Sequence, residues 1–167
     1  SGAKRANAIL VTKCPLEIST EERQRILQKI APTALQKVFF TKISYAPFVV
    51  SESDQIPVAS LRNFAVVLLT GIANPTPLLA YLTDQQVDFT HLSYPDHHSF
   101  DAADLQAIQK TFAAVEGEKK LLLTTEKDAM RLQGKLKSLY TLGIQTNFIE
   151  GGKDFNTEIR GNIHSFL

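Results

Sequence analysis

Asp96-His97-His98, set between Tyr94-Pro95 and Ser99-Phe100, is the segment of this 167-residue chain whose residue types most directly suit chemistry. An imidazole exchanges protons near neutral pH, and a neighbouring carboxylate orients it and raises its pKa. Adjacent Asp and His side chains in one loop do not readily face each other, so a productive carboxylate for His97 is expected from elsewhere. The same triplet also suits a capped, solvated loop in which Asp96 accepts from backbone amides. Metal chemistry is a third reading, because a DHH triplet marks one phosphoesterase superfamily. That chemistry needs further Asp and His ligands. His91 and His164 lack ligand-like spacing and no D-x-D occurs, so no metal site is expected.

Two other segments carry polar or special residues where an apolar run stops, and a third stands just before one. Thr124-Thr125-Glu126-Lys127-Asp128 places hydroxyls and free amides at a helix start, which favours an anion, and Lys127 adds a positive charge. Plain capping, with Thr125 as cap and Glu126 and Asp128 in the first turn, explains the same residues. In Thr70-Gly71-Ile72-Ala73-Asn74-Pro75, glycine lets backbone approach a ligand or simply permits a sharp turn. Lys4-Arg5 could hold phosphate or be a solvated basic terminus. Neither G-x-x-x-x-G-K-[ST] nor G-x-G-x-x-G occurs. Pairing Cys14 with His97 as a nucleophile is weaker than reading Cys14 as a small buried thiol.

The elements that must position these residues follow from hydrophobic pattern. Short apolar blocks at 8–12, 38–43, 64–70, 87–94, 120–124 and 139–149 read as strands, the last as one or two. Phe64–Thr70 is apolar on both faces, as central parallel strands are. Between them lie helical patterns. Ser19-Thr20-Glu21-Glu22 forms a capping box ahead of Ile26, Leu27 and Ile30, and Pro32 closes that helix. Asn74 caps a helix with Pro75 as its first residue and Leu78, Leu79 and Leu82 on one face. Asp101 caps a stripe of Leu105, Ile108, Phe112 and Val115, and Phe155, Ile159 and Ile163 mark a terminal amphipathic helix. The stretch 45–57 is less regular, and SESDQIP reads as an exposed loop. Alternating strands and helices predict an α/β fold, a largely parallel sheet flanked by helices, as a single domain over 1–167. The loops at 12–15, 70–75, 95–100 and 124–128 are then expected to meet at the carboxyl edge of the strands.

Composition removes several function classes. Lys+Arg 18 against Asp+Glu 17 gives a net charge of +1, which fits no nucleic-acid partner. One cysteine allows no intrachain disulfide and fits a reducing compartment. The apolar runs are far too short to span a membrane, and the start shows no signal-peptide core.

In order along the chain, Lys4-Arg5-Ala6, Ile9–Pro15, Thr70–Pro75, Tyr94–Phe100 and Thr124–Ala129 resemble the C-terminal half of the tetraacyldisaccharide 4'-kinase family, over residues 4–132. The resemblance implies a P-loop-kinase-like protein that uses ATP and Mg²⁺. It would phosphorylate the 4'-hydroxyl of an acylated glucosamine disaccharide lipid in lipid A biosynthesis, at the cytoplasmic face of the bacterial inner membrane. This chain has no phosphate loop and no initiator Met. It is therefore expected to be a C-terminal fragment, inactive alone. Its partner would be the N-terminal P-loop region of the same protein, which would bring the Mg²⁺ ligands and the membrane contact. The resemblance implies catalytic roles for His97 and Asp96, with His97 orienting, or sharing a proton with, an aspartate of that region. Arg5, Thr12, Lys13 and Lys127 would face nucleotide phosphates, and Gly71, Asn74, His98, Glu126 and Asp128 would support the cleft. Two rival readings stay open: a non-catalytic α/β nucleotide- or partner-binding module, and a DHH-type metal-dependent phosphoesterase.

Overall fold

β4 (Ala65–Thr70) is flanked on both sides by parallel strands, β5 (Phe89–Ser93) and β6 (Lys120–Thr125). A strand so placed has no solvent face, and Val66, Val67, Leu68 and Leu69 are each at most 1% exposed. This computed structural model describes residues 2–15, 17–132 and 134–164, which form two compact units. One is built from residues up to Ser44 and from Ile144 onward; the other is Tyr45–Gly143.

In the Tyr45–Gly143 unit the parallel sheet is completed by the first part of β7 (Leu139–Phe148), which pairs with β6. The alternating side chains of β4 separate two cores. Val66 and Leu68 pack with Leu121 and Leu123 against Leu78 and Leu82 of α2 (Thr76–Asp84). Val67 and Leu69 pack with Leu122 against Ile108 of α3 (Ala102–Ala114) and Leu132 of α4 (Glu126–Leu132). Helices therefore cover both faces, as the apolar runs predict. Leu105, Phe112 and Val115 complete the α3 stripe.

Register matters most for function. Leu69 lies opposite both Leu92 and Thr124, and Thr70 lies opposite Ser93. The three strands thus end level, and their succeeding turns leave from one edge.

The sequence reading needs correction in two places. The stretch 45–57 is not an irregular loop: β2 runs Lys37–Val50, and a turn in which Ser51 N–H donates to Asp54 O at 2.8 Å leads into β3 (Gln55–Pro57), antiparallel to β2. The register of β2 with β1 ends at Lys42 and that with β3 begins at Phe48. The second correction is one residue at α2. Pro75 stands before the helix, and Asn74 Oδ1 accepts from Thr76 N–H at 3.1 Å. The single strand Leu139–Phe148 resolves the one-or-two-strand alternative.

In the other unit, β1 (Ala8–Cys14) pairs in parallel with β2, Ile9 opposite Val38 and Val11 opposite Phe40. The register shifts between Val11 and Cys14, where Lys13 takes a left-handed φ of 59°. α1 (Thr20–Ile30) starts at Ser19, whose Oγ accepts from Glu22 N–H at 3.1 Å. Arg23 lies over the Phe40 ring and pairs with Glu150. Phe155 of α5 (Gly152–His164) packs on Phe39 and Phe148. The side chains of Ile159 and Ile163 lie outside the described residues. Among the described residues, no helix is long and apolar enough to cross a membrane.

Candidate active site

Three level strand ends deliver three turns to one edge of the Tyr45–Gly143 unit, and α4 ties them together. Asp128, in the first turn of α4, is fully buried. Such a carboxylate must be saturated with donors or it destabilises the fold. Its Oδ2 accepts from Gly71 N–H and from Thr125 Oγ at 2.9 Å each, and its Oδ1 accepts from Arg131 Nη1 at 2.9 Å. Asp128 N–H in turn reaches Thr125 Oγ at 3.2 Å. Thr125 is therefore both cap and donor. The first helical turn is used for internal capping, which was the local alternative to anion binding.

Arg131 extends the network. Its Nη1 also donates to Gly71 O at 3.2 Å, and its Nη2 lies 3.2 Å from His97 Nδ1. A Cβ on Gly71 would sit 3.0 Å from Asp128 Oδ1 and 3.4 Å from Pro95 O. The glycine is thus needed for close approach of side chain and backbone.

The Asp96-His97-His98 turn is held at several points. Lys127 Nζ donates to Asp96 Oδ1 at 2.7 Å, and the same oxygen accepts from His97 N–H at 3.0 Å. The Lys127 bond, above all, keeps the Asp96 carboxyl below its ordinary pKa; His97 adds to that, and partial desolvation opposes it. The Asp96 and His97 side chains do not form a direct hydrogen bond, since Oδ2 and Nε2 are 3.6 Å apart. His97 has a left-handed φ of 61°, rare for a non-glycine residue, and its side chain is 74% exposed. His98 turns the other way. It stacks on Tyr94 with ring centroids 4.9 Å apart, and its Nε2 meets Asp104 Oδ2 at 2.7 Å. Asp104 also closes the capping box of α3 with Asp101. The His98 bond is the first cause of the lowered Asp104 pKa, with Asp101 N–H second.

The structure therefore joins Gly71, Asp96, His97, Lys127 and Asp128 into one network. Asn74 is exposed and its side-chain oxygen accepts from Thr76 N–H at the start of α2, and the Glu126 carboxylate lies against Gly143. Arg5 ends a short 3-10 helix, and Thr12 and exposed, left-handed Lys13 sit at the end of β1; all three belong to the other unit. Cys14 is half-buried, not fully buried, and its thiol donates to Val11 O. Sequence reasoning missed Arg131 and Asp104. Arg131 falls on the face of α4 that returns to Asp128 at i+3, a spacing that could have flagged it. Asp104 was legible as the third residue after the Asp101 cap. Among the described residues, no group of three His, Cys, Asp or Glu is placed to hold a metal ion.

An exposed imidazole braced by a guanidinium, beside a carboxylate kept ionised by a lysine, can orient or relay a proton for a group brought to it. Comparison with known proteins gives that edge a context. The family described as "Tetraacyldisaccharide-1-P 4'-kinase" matches residues 1–164. A tetraacyldisaccharide 4'-kinase of Flavobacterium johnsoniae is 39% identical over 161 residues, covering 95% of this chain and 45% of the relative. One from Bacteroides thetaiotaomicron is 34% identical, covering 98% and 48%. A crystal structure of an LpxK from Aquifex aeolicus in complex with ATP aligns with a TM-score of 0.53 at 17% identity, over 92% of this chain and 51% of that one. The chain spans about half the length of the curated relatives it matches.

Proposed function

The chain belongs to the tetraacyldisaccharide 4'-kinase family, and from that premise we propose that it is part of an ATP-dependent kinase that phosphorylates the 4'-hydroxyl of an acylated glucosamine disaccharide in lipid A biosynthesis. The observation that carries this reading is the family match over residues 1–164. The convergence of three strand-end turns on His97 supports it.

In the proposed reaction the sugar oxygen bonds to the γ-phosphorus of ATP, the bond to ADP breaks, and the hydroxyl proton passes to a carboxylate. Positioning and charge neutralisation supply most of the acceleration in such transfers. That carboxylate would come from the remainder of the protein, with His97 beside it. Asp96 and His98 would hold the His97 turn, and Gly71, Asn74, Glu126 and Asp128 the turns around it. Arg5, Thr12, Lys13 and Lys127 would meet phosphate charge; for Lys127 that means leaving Asp96. Bound Mg²⁺ would neutralise phosphate charge. The described residues offer no set of ligands for it. The phosphate loop and Mg²⁺ ligands are assigned to an N-terminal region, which would also bring membrane contact at the cytoplasmic face of the inner membrane.

Two measurements test this. The coding sequence upstream of Ser1 should contain a strand followed by G-x-x-x-x-G-K-[ST]. ATP-dependent phosphorylation of tetraacyldisaccharide 1-phosphate should occur with the full-length product and not with the 167-residue chain. Turnover by the 167-residue chain would overturn the need for a second region; an inactive full-length product would overturn the kinase reading.

A further inference from the structure

Arg131 is tied at three points: to the buried Asp128 carboxylate, to the carbonyl of Gly71 at the exit of β4, and to the ring of His97. A guanidinium has donors and no acceptor and stays charged at any physiological pH. At 3.2 Å from Nη2, His97 Nδ1 can only be accepting. A ring whose Nδ1 accepts is neutral and carries its proton on Nε2. The nearest carboxylate oxygen to that N–H, Asp96 Oδ2, is 3.6 Å away, too far to engage it.

We propose that Arg131 is a positioning residue: its guanidinium holds His97 as the neutral Nε2–H tautomer and leaves that N–H as the ring's one unengaged polar group, ready to donate to an incoming carboxylate. His97 then orients the carboxylate and does not take up the sugar proton, because Nε2 is already protonated and Nδ1 faces a fixed positive charge. Five charged groups surround the turn: Asp96 on the turn itself, Lys127, Asp128 and Arg131 from α4, and Asp104 from α3, which meets His98. The buried carboxylate anchors the guanidinium, and Lys127 occupies the other oxygen of Asp96. As a statement about the reaction this rests on the kinase reading; as a statement about the ring it does not.

The experiment reads the ring. In the 167-residue chain with ¹⁵N-labelled histidine, imidazole ¹⁵N shifts are recorded at a pH where His97 is neutral. The wild-type chain is expected to show the Nε2–H tautomer alone. Arg131→Lys keeps a charge opposite Asp128 and so preserves the fold, but one ammonium cannot also reach His97. It is expected to give a measurable fraction of the Nδ1–H form. Any Nδ1–H signal in the wild type, or an unchanged ring in Arg131→Lys, overturns the proposal. In the full-length kinase, Arg131→Lys should lower kcat about 10-fold or more, the direction taken elsewhere when a tautomer-fixing partner is lost, with KM for ATP unchanged. A full-length protein without kinase activity would sink the kinase reading and leave the tautomer result standing. A wild-type rate in Arg131→Lys would remove the residue's part in the reaction.

Discussion

The backbone N–H of Gly71 donates to the carboxylate of Asp128, 57 positions further along, at 2.9 Å. The turn that leaves the central strand is thus held by the helix after β6, and there is no room between them. Gly71→Ala would place a methyl 3.0 Å from Asp128 Oδ1, the oxygen that Arg131 holds. The expected cost is about 1–3 kcal/mol of stability, as for overpacking in a core, read from urea denaturation. An unchanged midpoint would mean that the carboxylate moves aside freely.

Asp128 itself is a sharper test. Asp128→Ala removes the acceptor of the Gly71 amide and the Thr125 hydroxyl and the charge partner of the Arg131 guanidinium. Loss of one partner from a buried ion pair costs about 3–5 kcal/mol. Asp128→Asn keeps an acceptor oxygen and should cost visibly less. Equal losses for the two variants would argue that charge, not hydrogen-bond satisfaction, governs the site.

Acidification should weaken the fold in two stages. Burial lowers the pKa of His91, whose Nε2 lies 2.8 Å from Thr70 Oγ. The unfolded chain then binds the proton more readily, so stability present above the unfolded value, about 6.5, declines as pH falls through it. Asp104 is also lowered, chiefly by the His98 bond. Its contribution is present above the ordinary carboxylate value and is lost as pH falls through its folded value, below about pH 4. His91→Gln should flatten the first decline and Asp104→Asn the second, in urea midpoints measured across pH. If neither variant changes the profile, these two groups are not the source of the acid sensitivity.

In the full-length protein, His97→Ala should lower kcat for the proposed reaction, but by less than the about 10²–10⁴-fold expected of a group that takes the transferred proton itself. A rate within about twofold of wild type would remove His97 from the mechanism.

Much of the fold was legible in the sequence because the signals were local. The two-faced apolar run of β4, the caps at Ser19 and Asp101, and the polar residues closing β4, β5 and β6 each depend on neighbours a few positions apart. β2 extends past the apolar block at 38–43 because its second half is set by pairing with β3, which the local apolar pattern does not show. The convergence of Gly71, His97 and Asp128 could be anticipated from strand order. The residue that joins them could not: an arginine in a short helix usually points to solvent, and nothing near Arg131 in sequence announces a partner 34 or 60 positions upstream. His97 was legible as a chemical candidate, but its left-handed backbone and bracing were not.

α4 is only seven residues long, yet Lys127, Asp128 and Arg131 grip both neighbouring turns. Because each added helical residue rotates the rest of the helix by about 100°, one insertion between Asp128 and Arg131 would swing the guanidinium off all its partners at once. Length changes in this stretch should therefore be far less tolerable than the same changes in the Ser51–Asp54 hairpin tip, making α4 the gauge against which any graft or splice of this chain must be cut.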